Sequence, residues 1–289
     1  MSKRLHSPLS ARGCHRGALA LAAVGLAATV VAAPARAEDT DKTFATFKED
    51  AFGARDIEAN SPIVTIDAPK RAEDAAVVPI DVQVKLPEND PRTIAKVTLV
   101  VDENPSPVAA TFALGQKRHE FALSTRLRVN AYSSVRAVVE TDDGKLHMAA
   151  RFVKASGGCS APALKDEDQA LAHLGEMKFR RVSAENASEK PSESNAGMSQ
   201  AQLMIRHPNF SGLQMDPISR TYVPARFVNH ILVKQGDETV FTMEGGISLS
   251  EDPAISFTYR QSGGPVTVAA SDTEGVAFSG ALDAKKPGS

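Results

Sequence analysis

Apolar and polar residues alternate along most of this chain beyond residue 60. Residues 76–86 give the clearest case. Val78, Ile80, Val82, Val84 and Leu86 fall on one face, with Asp81, Gln83 and Lys85 on the other. A period of two is the mark of a strand with one buried face. Similar runs occupy 63–66, 94–101, 108–114, 121–129, 135–140 and 146–153. The last two flank Thr141-Asp142-Asp143-Gly144-Lys145, a strong hairpin turn signal. Seven short strands with closely spaced turns predict an antiparallel sandwich of immunoglobulin-like type. A second β set follows, over 201–205, 227–234, 239–243, 255–259, 265–270 and 276–281, with a further strand over 177–182.

Helical spacing is confined to two places. Phe44, Phe47 and Phe52 recur at helical intervals within 43–52. Residues 163–175 place Leu164, Ala170, Leu171 and Leu174 among charged residues, with the acids in the first turn, where the helix dipole favours them. Residues 183–197 are small and polar and predict a mobile loop, the first site of limited proteolysis. The fold class is therefore all-β: two separate tandem immunoglobulin-like sandwiches joined by a short helix and a loop. The expected bounds are 38–162 for the first domain, 163–175 for the helical linker and 176–289 for the second domain.

The first 37 residues read differently. Lys3, Arg4, Arg12 and Arg16 precede an apolar stretch from Ala18 to Ala33, and Ala35-Arg36-Ala37 is a small-x-small cleavage site. This is the pattern of a secretory signal, so the mature chain is expected to begin near Glu38 and to reside in the periplasm. Removing five basic residues changes the charge picture. The whole chain has 33 Lys and Arg against 35 Asp and Glu, whereas the mature part has 28 against 35. A net charge of −7 argues against nucleic acid or an anionic membrane as partner. No later apolar run approaches the roughly 20 residues of a membrane span.

Cleavage also removes Cys14 and leaves one cysteine, Cys159, in Ser156-Gly157-Gly158-Cys159-Ser160-Ala161-Pro162. A single thiol cannot close an internal disulfide. In an oxidising compartment it is a reactive group or a point of intermolecular pairing. Its neighbours are too small to bury it, and two glycines free the backbone. Cys159 is thus expected to be exposed on a flexible arm, with Gly157 and Gly158 as the swivel. No histidine or arginine is adjacent in sequence to lower its pKa; Lys154 and Lys165 are the nearest cations.

Other chemistry is weakly signalled. The mature histidines are 119, 147, 173, 207 and 230, none paired at i,i+4. Cys159 with His147 or His173 would need further metal ligands that the sequence does not cluster. His207, before Pro208, reads as a hydrogen-bonded structural residue. No G-x-S-x-G, P-loop or dinucleotide fingerprint occurs. No catalytic residue, metal ligand or cofactor site is assigned, and the chain is not read as an enzyme.

The first domain, ending in a strand and then Gly157-Gly158-Cys159, resembles SoxY, the sulfur-compound carrier of thiosulfate oxidation. The second resembles SoxZ. The matching stretches are Met177-Lys-Phe-Arg180, Ile205-Arg206-His207-Pro208-Asn-Phe-Ser-Gly212, Pro224-Ala225-Arg226-Phe227-Val228, Met243-Glu-Gly-Gly-Ile-Ser-Leu-Ser250 and Pro253-Ala-Ile-Ser-Phe257. The chain is most similar to fused SoxYZ-like carriers associated with quinoprotein (PQQ-dependent) dehydrogenases. The resemblance implies immunoglobulin-like folds, Cys159 as a covalent attachment point, a small sulfur-containing group as cargo, and c-type cytochromes or PQQ-dependent dehydrogenases as partners. The sequence departs from the family in one respect. The SoxY arm ends its chain with glycines after the cysteine, whereas here Ser160-Ala161-Pro162 and a whole domain follow. Two readings stand side by side: a covalent carrier, or a non-covalent accessory module that docks a dehydrogenase or cytochrome with Cys159 dispensable.

Overall fold

The computed structural model describes residues 35–162, 171–182, 197–216 and 218–282, with side chains from Asp41 onward. The expected signal up to residue 34, most of the helix expected over 163–175, and all but Gly197 of the loop expected over 183–197 lie outside the described residues.

The alternation reads out as strands almost everywhere it occurs. The first half holds helix α1 (Ala35–Phe52) and strands β1 (Ile57–Ala59), β2 (Val64–Asp67), β3 (Val78–Lys85), β4 (Ile94–Val101), β5 (Val108–Leu114), β6 (Glu120–Leu127), β7 (Ser133–Thr141) and β8 (Leu146–Val153). The second holds β9 (Met177–Val182), β10 (Met198–Ile205), β11 (Val228–Gln235), β12 (Glu238–Gly245), β13 (Ala254–Arg260), β14 (Val266–Asp272) and β15 (Ala277–Ala281). In β3 buried and exposed residues alternate without a break, as the pattern requires. The fold is all-β apart from α1 among the described residues, and it is a sandwich of two sheets.

Each half contributes to both sheets. The larger sheet runs β1-β8-β7-β4-β5-β12-β11-β14-β15, and the smaller runs β2-β3-β6-β13-β10-β9. Both sheets therefore cross from one half to the other, at β5–β12 and at β6–β13. Phe112 lies opposite Met243 in the first pairing, and Leu123 opposite Phe257 in the second. The immunoglobulin-like sandwich expected in each half is present. Their expected separation is not: the two sandwiches are welded edge to edge, and the described residues belong to one compact unit. The physical reason lies in the edges. An unpaired edge strand leaves a row of backbone donors and acceptors without partners, and pairing across the halves satisfies two such rows at once.

The core is correspondingly continuous. Phe112 of β5 packs edge-on against Phe241 of β12 at 5.6 Å, and Phe241 against Phe257 of β13 at 4.9 Å. Buried Arg118 also ties the halves. It donates from Nη1 to Thr258 O at 3.0 Å and from Nη2 to Gln116 Oε1 at 2.7 Å, while Gln116 Nε2 donates to Glu238 Oε2 at 2.9 Å. Helix α1 covers the outer face of the larger sheet, burying Phe44 and Phe52 against Val100, Val138, Leu146 and Met148.

Candidate functional site at Cys159

The segment after β8 turns back over the end of β6 instead of leaving the protein. Gly157 N donates to Asn130 O at 2.7 Å, and Gly158 N to Val129 O at 3.1 Å. Gly157 has φ of +78°, a backbone conformation that side chains disfavour. Gly158 is required for a different reason. A Cβ there would lie 2.1 Å from Ala75 O and 2.7 Å from Val129 O, so only glycine allows the backbones to approach this closely. Both glycines thus serve a tight, fixed turn in this structure, not the free swivel expected of them.

Cys159 is fully buried, contrary to the exposure expected from its small neighbours. The cover comes from residues remote in sequence. Ser211 Oγ donates to Cys159 O, and Gln214 Nε2 donates to Ala161 O at 2.9 Å. Arg128 Nη1 donates to Gly158 O at 3.1 Å, and its Nη2 donates to Asn209 O at 3.4 Å. One guanidinium therefore joins the cysteine turn to residues 207–214 of the second half. Ser160 remains exposed beside the buried thiol.

Burial pushes the Cys159 thiol up to about 11, and the nearby Arg128 charge opposes that rise only in part. Burial also lowers the affinity of Arg128 for its proton. In this closed arrangement the cysteine is a neutral thiol at neutral pH and a poor nucleophile.

The surrounding loops are held by asparagines. Asn104 Nδ2 donates to Arg128 O at 2.7 Å, and its Oδ1 accepts from Asn130 N at 2.8 Å. Asn209, at φ of +44°, donates to Ser250 O at 3.1 Å and accepts from Val228 N at 3.1 Å. His207 has the structural role expected of it. Its Nδ1 accepts from Asn209 N at 3.0 Å and its Nε2 faces Asp272 at 3.4 Å, and burial favours the neutral ring. His147 and His173 are engaged elsewhere, with Glu58 and Glu176 respectively. Among the described residues no group of three or more His, Cys, Asp or Glu side chains is placed to hold a metal ion.

Residues 48–159 match the family model of the sulfur oxidation protein SoxY, and residues 188–283 match that of the sulphur oxidation protein SoxZ. The chain is a SoxY domain followed by a SoxZ domain. Cys159 is the last residue of the SoxY match. Among solved structures, the sulfur carrier protein SoxY from Chlorobium limicola f thiosulfatophilum is 28% identical, with a TM-score of 0.34 over 39% of this chain and 96% of that one. A superoxide reductase (neelaredoxin) from Ignicoccus hospitalis is 15% identical, with a TM-score of 0.28 over 34% of this chain and 94% of that one. No curated protein sequence matches the chain.

In these terms the cysteine belongs to the SoxY domain and much of its cover to the SoxZ domain. The His207-Pro208-Asn-Phe-Ser-Gly212 stretch that carries the SoxZ resemblance contains Asn209 and Ser211, two of the groups that close the site. Sequence reasoning missed Arg128, Asn209, Ser211 and Gln214. Arg128 left no trace: in Phe121-Ala-Leu-Ser-Thr-Arg-Leu-Arg-Val129 it falls, like Arg126, in the polar phase of the alternation, where a solvated face is the expectation.

Proposed function

We propose that this SoxY–SoxZ chain is a covalent carrier, not an enzyme, and that it holds a small sulfur-containing group on Cys159 in the periplasm. The observation that carries the reading is the cysteine itself: a lone thiol after two glycines, at the end of the SoxY match, on a turn held chiefly by hydrogen bonds. Opening that turn breaks five of them, donated by Gly157, Gly158, Arg128, Ser211 and Gln214. At about 1 kcal/mol net for each, opening costs on the order of 5 kcal/mol. That lies within the range of local unfolding, so the thiol can be stored closed and offered in a minor open state. The partners on this reading are periplasmic redox proteins, a c-type cytochrome or a PQQ-dependent quinoprotein dehydrogenase, which load or process the group.

The test is intact-mass measurement on protein purified from its native source. The wild type is expected to carry a sulfur adduct that Cys159→Ser lacks, with loss of the pathway's activity in the variant at equal protein level. Full complementation by Cys159→Ser would overturn the carrier reading.

A second reading, a non-covalent accessory module, is favoured by a different feature. Of the four exposed large hydrophobic residues among those described, Met215, Ile218 and Tyr222 belong to one short stretch of the SoxZ domain, and Ile218 is 92% exposed. Met215 bridges to Tyr222, so these residues stand on a small hairpin just beyond Gln214. On this reading an apolar contact to a dehydrogenase or cytochrome matters and the thiol does not. Ile218→Asp would then abolish function where Cys159→Ser would not.

A further inference from the structure

Helix α1 does not fill all the space above the larger sheet. A cleft of about 480 Å³ lies between α1, β1, β7 and β8. Its volume is that of a small-molecule site, and so is its make-up, apolar walls with a few converging polar groups. Asp41, Phe44 and Lys48, spaced three and four residues apart, reach it from one face of the helix. β8 supplies Met148, Ala150 and Phe152 by alternation. Met148 is buried under α1, whereas Ala150 and Phe152 are half-buried, as is Ile57 of β1 on the far wall.

Arg136 of β7 is the polar centre of the cleft, at 3% exposure. Asp102 takes one edge of its guanidinium, accepting from Nε and Nη2. Nη2 also donates at 2.6 Å to Asp41, whose side chain is 69% exposed. Among the described residues Nη1 has no oxygen acceptor. Its contact is Met148 Sδ at 3.8 Å, and a thioether is a weak acceptor. A buried cation thus keeps one terminal nitrogen almost unfilled, and such a donor suits a carboxylate. The lining as a whole has two cations, Arg136 and Lys48, against one carboxylate, Asp41.

We propose that this cleft binds a small carboxylate with an apolar body, such as an aryl-substituted or branched-chain acid. Arg136 and Lys48 receive the carboxylate; Phe44, Ile57 and Phe152 flank the body. Asp41 is the internal competitor for Arg136, and an ion pair this exposed is weak enough to yield. The inference stands whether or not Cys159 carries a group.

The experiment titrates the isotope-labelled protein with three probes and follows the amides of Ile57, Arg136 and Phe152 by nuclear magnetic resonance. Phenylacetate has both charge and body, phenylacetamide the body alone, and acetate the charge alone. Phenylacetate is expected to shift these amides saturably, with a Kd on the order of 1 mM for a ligand of this size. Either control should bind about tenfold more weakly, phenylacetamide through loss of a charge-assisted hydrogen bond. Asp41→Asn removes the competing charge and keeps the side-chain shape. It should tighten phenylacetate about threefold and leave phenylacetamide unchanged, while Lys48→Gln should weaken phenylacetate about threefold. If Asp41 merely pinned the helix, its loss would loosen the cleft and weaken both aromatic probes alike, and that result overturns the inference. So does phenylacetamide binding as tightly as phenylacetate, or no saturable shift in the cleft below about 10 mM. The wild-type comparison decides without any variant having to fold.

Discussion

At the scale of the residue, the chemistry turns on one thiol proton. The folded state holds it more tightly than the unfolded chain, whose thiol titrates near its ordinary value of 9.0, because burial pushes the folded thiol to about 11. Stability from this source is complete below pH 9 and is lost as pH rises through 11. The loss amounts to about 3 kcal/mol at most. Denaturation curves between pH 8 and 11 should show it as a difference between the wild type and Cys159→Ser, which has no thiol to titrate. Ser211→Ala should cost about 1 kcal/mol in closing the turn and raise native maleimide labelling of Cys159 about fivefold. Gly158→Ala should do more, because its methyl group has nowhere to go: we expect a loss of roughly 2–4 kcal/mol and native labelling roughly 30- to 900-fold faster than in the wild type. An unchanged melting temperature in Gly158→Ala would refute the packed turn. The sequence around Cys159 pointed to exposure because nothing within four residues is large enough to bury it. The groups that do so are Arg128 before it and Ser211 and Gln214 after it, and only the fold brings them together. What local sequence did disclose was the identity of the thiol, its uniqueness and its glycines.

At the scale of the element, period-two alternation found the strands because each has one face in the core. It missed β1, whose three residues are too few to establish a period and which is held by parallel pairing to β8. It recognised the phenylalanines of α1 but not what anchors the helix. Arg136, on the sheet beneath, donates to both oxygens of Asp102 and to Asp41 of α1, and its guanidinium stacks 4.3 Å from the centre of the Phe44 ring. Burial pushes the Asp102 carboxyl up, to about 6, against the pull of Arg136. Arg136→Met should therefore cost about 3–5 kcal/mol, chiefly by stranding Asp102. The double variant Arg136→Met with Asp102→Leu should recover most of that loss in chemical denaturation. If the two substitutions simply add, the buried pair is not the anchor described here.

At the scale of the whole molecule, the weld between the SoxY and SoxZ domains decides how the chain behaves. Strand pairing across the halves was not legible because an alternating strand looks the same whether its edge meets water or another strand. The continuous core predicts a single cooperative unfolding transition, observed together by calorimetry and by far-ultraviolet circular dichroism. Two resolved transitions would contradict it. Phe241→Ala, at the junction of Phe112 and Phe257, should cost about 3–5 kcal/mol and lower that one transition without splitting it. The weld also imposes an order in time. β5 and β6 are complete by residue 127, but their partners β12 and β13 end only at residues 245 and 260. A chain delivered N-terminus first therefore presents the first half about 130 residues ahead of those partners. Throughout that interval the first half has two open sheet edges, each a template for pairing with the wrong chain. A fragment ending at residue 162 should keep those edges open indefinitely and self-associate in size-exclusion chromatography, so the second half acts as the first half's covalently attached chaperone.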